Sequence, residues 1–312
     1  MIAPPPTTDA PTDDELAFID EAAAYLEHPS FAQRASRLIG KPVEALIHRL
    51  PAPATRALDA AGEVALRKAM NIALIGLPRR HPPTAGLDLR GQVASTFAMG
   101  QQRTVAVGAA GFVGGLLGGF TLGAELSAST VLMLRAIADI AARLGADLDD
   151  PADRLECVAV FALGSGRPHS VATGDPVTTL EGVAASETAY YAARIGLQRA
   201  ATEVAHMAAG ASAEQVAKML LRSKSPVVAE LVGKILARYG VVVSQKSAFQ
   251  LLPVVGAATA AAINVAFLDH YHQVARYHFG LRQLERRWGG SVVRARYERA
   301  AQGLLAVPTT GR

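Results

Sequence analysis

Two long stretches without a charged residue constrain this 312-residue chain more than any other feature. They run from Thr104 to Ala124, between Arg103 and Glu125, and from Ser247 to Leu268, between Lys246 and Asp269. At 1.5 Å rise per residue each would make a helix of roughly 30 Å, about the thickness of a bilayer hydrocarbon core. Neither has the composition of a simple span. The first is crowded with Gly108, Gly111, Gly114, Gly115, Gly118, Gly119 and Gly123, and the second carries Gln250, Pro253 and Asn264. Both runs must be covered, either by other helices in a core or by lipid.

The glycines have a regular spacing. Gly111 and Gly115, Gly114 and Gly118, and Gly115 and Gly119 each stand four apart, so they share helix faces and let another backbone approach closely. In water each glycine costs a helix about 1 kcal/mol relative to alanine, so something has to pack on them. The expected groove is formed by Gly111, Gly115, Gly118 and Gly119, with Gly256 and Ala260 of the second run as its natural partner surface. Its occupant is a helix of the same fold, the same run in a second copy, or a lipid chain.

With 50% apolar residues, the chain buries a large core and is not globally disordered. Only 5% of its residues are aromatic, which favours helices packed through small side chains over a β-sandwich. The net charge of +4 is mild and selects no partner by sign alone. Its distribution says more, because Arg276, Arg282, Arg286, Arg287, Arg294, Arg296 and Arg299 crowd the part after the second uncharged run. The single cysteine, Cys157, fits a reducing compartment and lies on an apolar stretch that reads as core. The start, MIAPPPTTDAPTDDE, has no basic or apolar leader, so no signal peptide is expected and membrane contact would come from the cytoplasmic face.

The fold class expected is all-α, a multi-helix bundle with a glycine-rich central helix and a long C-terminal helix. Residues 1–12 read as a disordered leader, 13–85 as an N-terminal helical region, and 86–304 as a helical domain sharing one core with it. Thr12 and Glu15 have capping-box spacing and open a helix over Asp13 to Glu27. A helical zone from Leu87 to Leu144, broken in its glycine-rich middle, stops at Gly145. Asp150 and Pro151 start the next helix, which runs to Leu163. Further helices are predicted over Leu180 to Ala208, Pro253 to Trp288 and Val292 to Leu304, among others.

Two helical projections place polar residues on apolar helices. In GAELSASTVLMLRAIADIAARLG, Glu125, Arg135, Asp139 and Arg143 share a broad sector, and Arg135 and Asp139 are spaced to pair. In INVAFLDHYHQVARYHFGLRQLER, Asn264, His278, Arg282 and Glu285 share one sector, Asp269, His272 and Arg276 lie nearly opposite, and His270 sits between. The expectation is a hydrogen-bonded polar network that includes Glu125, Arg135, Asp139, Asn264, His270, His278, Arg282 and Glu285. Asp269 and His272, three apart, have a metal-compatible spacing, but no HExxH accompanies them, so no metal is assigned. Phosphate-binding, dinucleotide-binding and nucleophile-elbow motifs are missing, and the arginines lack the interleaved aromatics of a nucleic-acid binder.

Several blocks in order resemble the EcsC protein family. They are the glycine run followed by AELSASTVLMLRAIADIA, then DPADRLECVAVFALG, AYYAARIGLQRA, and ARYGVVVSQKSAFQLLPVVGAATAAAINVAFLDHYHQVARYHFGLRQLER. The resemblance spans roughly residues 90 to 290; Ser127 stands where the family commonly has proline. It implies a link to transport or secretion, since the family is named for a gene beside an ABC transporter operon, and it brings no catalytic residue with it. The expected function is a membrane-associated or lipid-handling accessory, non-enzymatic and without cofactor, on the inner face of the cell membrane. Membrane lipid is the expected partner, with a protein partner or a second copy also possible and nucleic acid not expected. The competing readings are a metal-dependent hydrolase using Glu125, Asp139, Asp269, His270 or His278, and a scaffold that binds protein through its basic C-terminal helix.

Overall fold

The computed structural model describes residues 10–27, 88–96, 122–163, 188–207 and 257–306, with isolated positions between 56 and 64 and between 215 and 243. Among these residues the protein is all-α, with no strand. The helices are α1 (Asp13–Glu27), α2 (Leu122–Arg143), α3 (Pro151–Leu163), α4 (Ala189–Met207), α5 (Ala257–Trp288) and α6 (Gly290–Ala306). A further helical stretch covers residues 89–96. The glycine-rich run, with Gly111, Gly115, Gly118 and Gly119, and Gly256 before α5 lie outside the described residues, as do the side chains of Glu125 and Ala260.

Local chemistry sets the helix ends. At α1, Thr12 N donates to Glu15 Oε2 at 2.9 Å and Glu15 N donates back to Thr12 Oγ1 at 3.3 Å, the reciprocal pair of a capping box. Asp150 caps α3 by accepting from Ala152 N at 2.9 Å. At the end of α2, Gly145 takes φ +82°, Gly145 N donates to Ala142 O and Ala146 N donates to Ala141 O, which closes the helix in a left-handed turn. Gly289, at φ +89°, separates α5 from α6 in the same way.

The N-terminus of α4 departs from the sequence expectation. The predicted helix from Leu180 is broken by Thr188, and α4 starts at Ala189. Its cap comes from another helix: Glu27, at the end of α1, accepts from Ala189 N and Tyr190 N, each at 3.1 Å. The same carboxylate accepts from Tyr297 Oη of α6 at 3.0 Å. No local spacing announces a cap delivered from 160 positions away in the chain.

The helix α5 is the spine, packed against α1, α2, α3 and α6. Asp153 and Phe161 of α3 meet Arg282 and Tyr271, so α3 runs antiparallel to it. The same holds for α1, where Glu15 meets Trp288 and Tyr25 meets His270. The 89–96 stretch is antiparallel too, with Gln92 on Gln283 and Thr96 on Arg276. By contrast α2 runs parallel to α5. Its C-terminal Leu144 carbonyl accepts from Arg286 at 2.7 Å, while Thr130 bonds the hydroxyl of Tyr239, whose ring packs on Phe267 and Tyr271. Helices α2 and α5 therefore begin at the same end of the bundle.

Encirclement explains why the two polar sectors read from the sequence do not separate a wet face from a dry one. Tyr271, His272, Ala275, Arg276, His278, Phe279 and Leu281 are all buried, so both sectors turn largely into the core and only a half-buried strip at Asp269, Gln273 and Tyr277 lies towards solvent. The closest approach is at Gly280. A Cβ there would stand 2.6 Å from Cε1 of Phe18 on α1 and closer still to its Cζ. We predict that Gly280→Ala lowers the melting temperature, at a cost of about 1–3 kcal/mol for an overpacked core. Pairing it with Phe18→Leu should recover part of the loss in thermal melts. An unchanged melting temperature in the single variant would contradict this packing.

Candidate functional site

Two helices, α3 and α4, bring their polar groups to one place on α5. In α3 the acidic residues Asp153 and Glu156 stand three apart on the face turned to α5, while Arg154 between them turns to Leu148 O and the rest of the helix is apolar. From α4 come Tyr190, Tyr191 and Arg194, again at helical spacing. The spine contributes His278, Arg282 and Glu285, which lie within two turns on one face.

The contacts are specific. Arg282 bridges Asp153 Oδ1 at 2.7 Å and the Glu156 carboxylate. His278 Nε2 lies 3.3 Å from Glu156 Oε2, and its Nδ1 is 2.9 Å from the Tyr190 hydroxyl. Arg194 grips both oxygens of Glu285 in a fork, with Nη1 donating to Oε1 at 2.7 Å, and Tyr191 donates to the same oxygen at 3.0 Å. Three carboxylates thus face two guanidiniums and one imidazole. Leu155, Ala159, Leu163 and Leu197 wall the space above Arg194 and His278, which measures about 10 Å³, room for roughly one water molecule.

Burial and charge act against each other here. Burial pushes the Glu156 carboxyl up, but the contact with His278 and the charges of His278, Arg282 and Arg194 outweigh it and hold Glu156 below its ordinary value. For His278 burial dominates. It holds the imidazole below its ordinary value even though Glu156 pulls the other way. With His278 neutral, a proton on Nε2 faces Glu156 and the unprotonated Nδ1 accepts from Tyr190. Burial, with Glu156 and Asp153 close by, also drives the Cys157 thiol well above its usual range. A carboxylate held ionised by two partners is a weak base, and a suppressed thiol is a weak nucleophile. This chemistry stores and balances charge.

Of the residues expected in the polar network, His278, Arg282 and Glu285 meet here. His270 does not. It faces α1 instead, with Nδ1 3.2 Å from the Tyr25 hydroxyl. Asn264 is buried nearer the start of α5, and Asp139 is buried on α2. Of the expected Arg135–Asp139 pair, Arg135 is exposed on α2 while Asp139 is buried. Glu125 falls in the first turns of α2. Asp269 is half-buried and His272 buried, and among the described residues no group of three or more His, Cys, Asp or Glu side chains is placed to hold a metal.

The C-terminal arginines are also placed differently from a basic docking helix. Arg286 donates to the end of α2, Arg287 to Glu15 at 2.9 Å, Arg294 to Glu298 at 2.7 Å, and Arg296 to both oxygens of Asp20. Arg286, Arg287 and Arg296 tie helices together, while the Arg294–Glu298 pair lies within α6. Sequence reasoning missed Asp153, Glu156, Tyr190, Tyr191 and Arg194. The available signal was charge inside apolar helices, in PADRLECVAVFAL and AYYAARIG, without any indication of which charges meet.

Residues 16–284 match the EcsC protein family. The chain belongs to that family. The match reaches back into α1, well before the 90–290 span that the sequence blocks cover, in keeping with the packing of α1 on the spine. Neither a curated protein nor a solved structure matches the chain. Membership of the EcsC family therefore rests on the family match, and the site on its own geometry.

The site makes a prediction about pH. A histidine whose folded value lies below the ordinary 6.5 binds its proton more readily when unfolded, so stability falls as pH drops from about 7 towards 5. Glu156, held below 4.5, contributes stability above that value, lost only at lower pH. His278→Gln, which keeps polar groups towards Tyr190 and Glu156, should flatten the pH dependence between 7 and 5 and leave the acid limb below 4.5. Urea unfolding across pH measures both. Equal slopes between pH 7 and 5 in the two proteins would contradict the assignment.

Proposed function

We propose that this EcsC-family protein is a membrane-associated, lipid-handling accessory that performs no catalysis and serves transport or secretion at the inner face of the cell membrane. One observation carries the reading: the uncharged runs continue directly into the ion-tied core. The second run ends at Leu268 inside α5, and the same helix goes on through His278, Arg282 and Glu285. The first ends at Ala124 inside α2, which packs along α5. Apolar segments are thus coupled to a body locked by buried ion pairs, an arrangement suited to holding lipid-facing chain at a fixed position on a folded scaffold. The charge-balanced site supports the non-catalytic part, since the Glu156 carboxyl is held low and the Cys157 thiol high, which makes the one a weak base and the other a weak nucleophile.

No helix among the described residues is long and apolar enough to cross a membrane. The lipid contact proposed is carried by the parts of the uncharged runs that precede the packed helices, residues 104–121 and 247–256, since Ile263, Asn264, Phe267 and Leu268 at the end of the second run are buried in the core. Fractionation of cells expressing the native protein tests this. The protein should sediment with membranes, stay there in high salt and be released by detergent. Leu116→Lys in the first run should move it to the supernatant while leaving the melting temperature of the bundle unchanged. Recovery of the wild-type protein in the unwashed supernatant would overturn the reading.

A further inference from the structure

We infer that the charged site contains a binding position for one water molecule, held between α3, α4 and α5, where it accepts from Arg194 Nε and donates to Glu156 Oε2.

The donor comes from α4. Arg194 turns Nη1 and Nη2 to the two oxygens of Glu285, which leaves its Nε–H on the other edge of the guanidinium. That nitrogen is shut off from solvent and meets no acceptor among the described residues, in a side chain whose residue is only 8% exposed. A buried donor without an acceptor is destabilising, and more so on a charged group. The acceptor comes from α3. Glu156 Oε2 is equally enclosed, and it touches Arg282 and, at 3.3 Å, His278 Nε2, yet neither contact is aligned as a hydrogen bond. A carboxylate oxygen has two lone pairs, so this one has acceptor capacity to spare.

Both residues line the cavity of about 10 Å³, together with His278 and an apolar wall that includes Ala159. That is the room one water takes. A void of this size with a purely apolar lining would stay dry, whereas this one carries polar groups from α3 and from α4.

Charge selects the occupant. Asp153, Glu156 and Glu285 face Arg194, Arg282 and a neutral His278, so three negative charges meet two positive ones and the surplus disfavours an anion. The Nε–H of a guanidinium, a donor on a cation, disfavours a metal ion or an ammonium. What fits is a neutral molecule of one heavy atom that accepts from one wall and donates to the other. Gln198, one helical turn beyond Arg194, is the exposed member of the lining and marks the mouth through which such a molecule exchanges with solvent.

The water makes one network out of two. Asp153, Arg282, Glu156, His278 and Tyr190 form one chain of contacts, and Arg194, Glu285 and Tyr191 form another. Bridging Arg194 to Glu156 joins them and ties α4 to α3 directly.

A crystal structure of the full-length protein, at a resolution that shows ordered water, tests the position. A single density peak within hydrogen-bonding distance of both Arg194 Nε and Glu156 Oε2 is expected. A dry cavity, or the Gln198 amide folded in against Arg194 Nε, would overturn the inference. Two variants of matching shape test it in solution. Ala159→Val and Ala159→Thr each fill the cavity from α3 and crowd it alike, but only threonine brings a hydroxyl to replace the water. In urea titrations the valine variant should show an unfolding equilibrium constant roughly tenfold larger than the threonine variant, because valine strands both polar groups. In a dry cavity the methyl group would be the better filler. A valine variant as stable as the threonine variant, or more so, would therefore count against the water.

Discussion

Burying charge beside the spine helix is the constraint on which the rest of this structure depends. Glu156, Arg282 and Glu285 are taken out of water between three helices, a transfer that costs several kcal/mol per ion unless partners are held in place. The fold meets that cost by fixing α3, α4 and α5 in one relative register: Arg282 must reach both carboxylates of α3, and Arg194 must reach Glu285. Removing one partner strands the other.

The same logic extends outward through single residues that serve two helices. Glu27 caps α4 and accepts from Tyr297 of α6, so the end of α1 governs where α4 begins. Glu15 closes its own capping box and also receives Arg287 and the Trp288 indole. Arg286 completes the end of α2, and Arg296 holds α6 to α1. An arginine-rich tail that reads as a surface for partners is instead the set of ties that closes the bundle.

The helices were legible because their signals are local. Thr12 with Glu15, Asp150 with Pro151, and Gly145 each act within one turn, and each does so in the structure. The grouping of His278, Arg282 and Glu285 was legible for the same reason, since helical spacing alone places them together. Their partners were not. Asp153, Glu156 and Arg194 come from other helices, and nothing in their own neighbourhoods shows which faces meet. Projection also failed where α5 is surrounded, because it presumes one wet side. Projection left His270 between the two sectors, and the structure sets it against Tyr25 of α1; on α2 Arg135 is exposed while Asp139 is buried. The start of α4 was misplaced because its cap belongs to α1.

The central claim is that a charge-locked bundle carries uncharged chain segments that meet lipid. Hydrogen–deuterium exchange of the full protein, free in mild detergent-depleted buffer and bound to anionic vesicles, tests it most directly. The account predicts that amides of α3 and of α5 from His278 to Arg287 exchange slowly and alike in both states, while segments 97–121 and 244–256 gain protection only on vesicles. Equal, strong protection of those two segments without lipid would place them in a closed protein core and contradict the account.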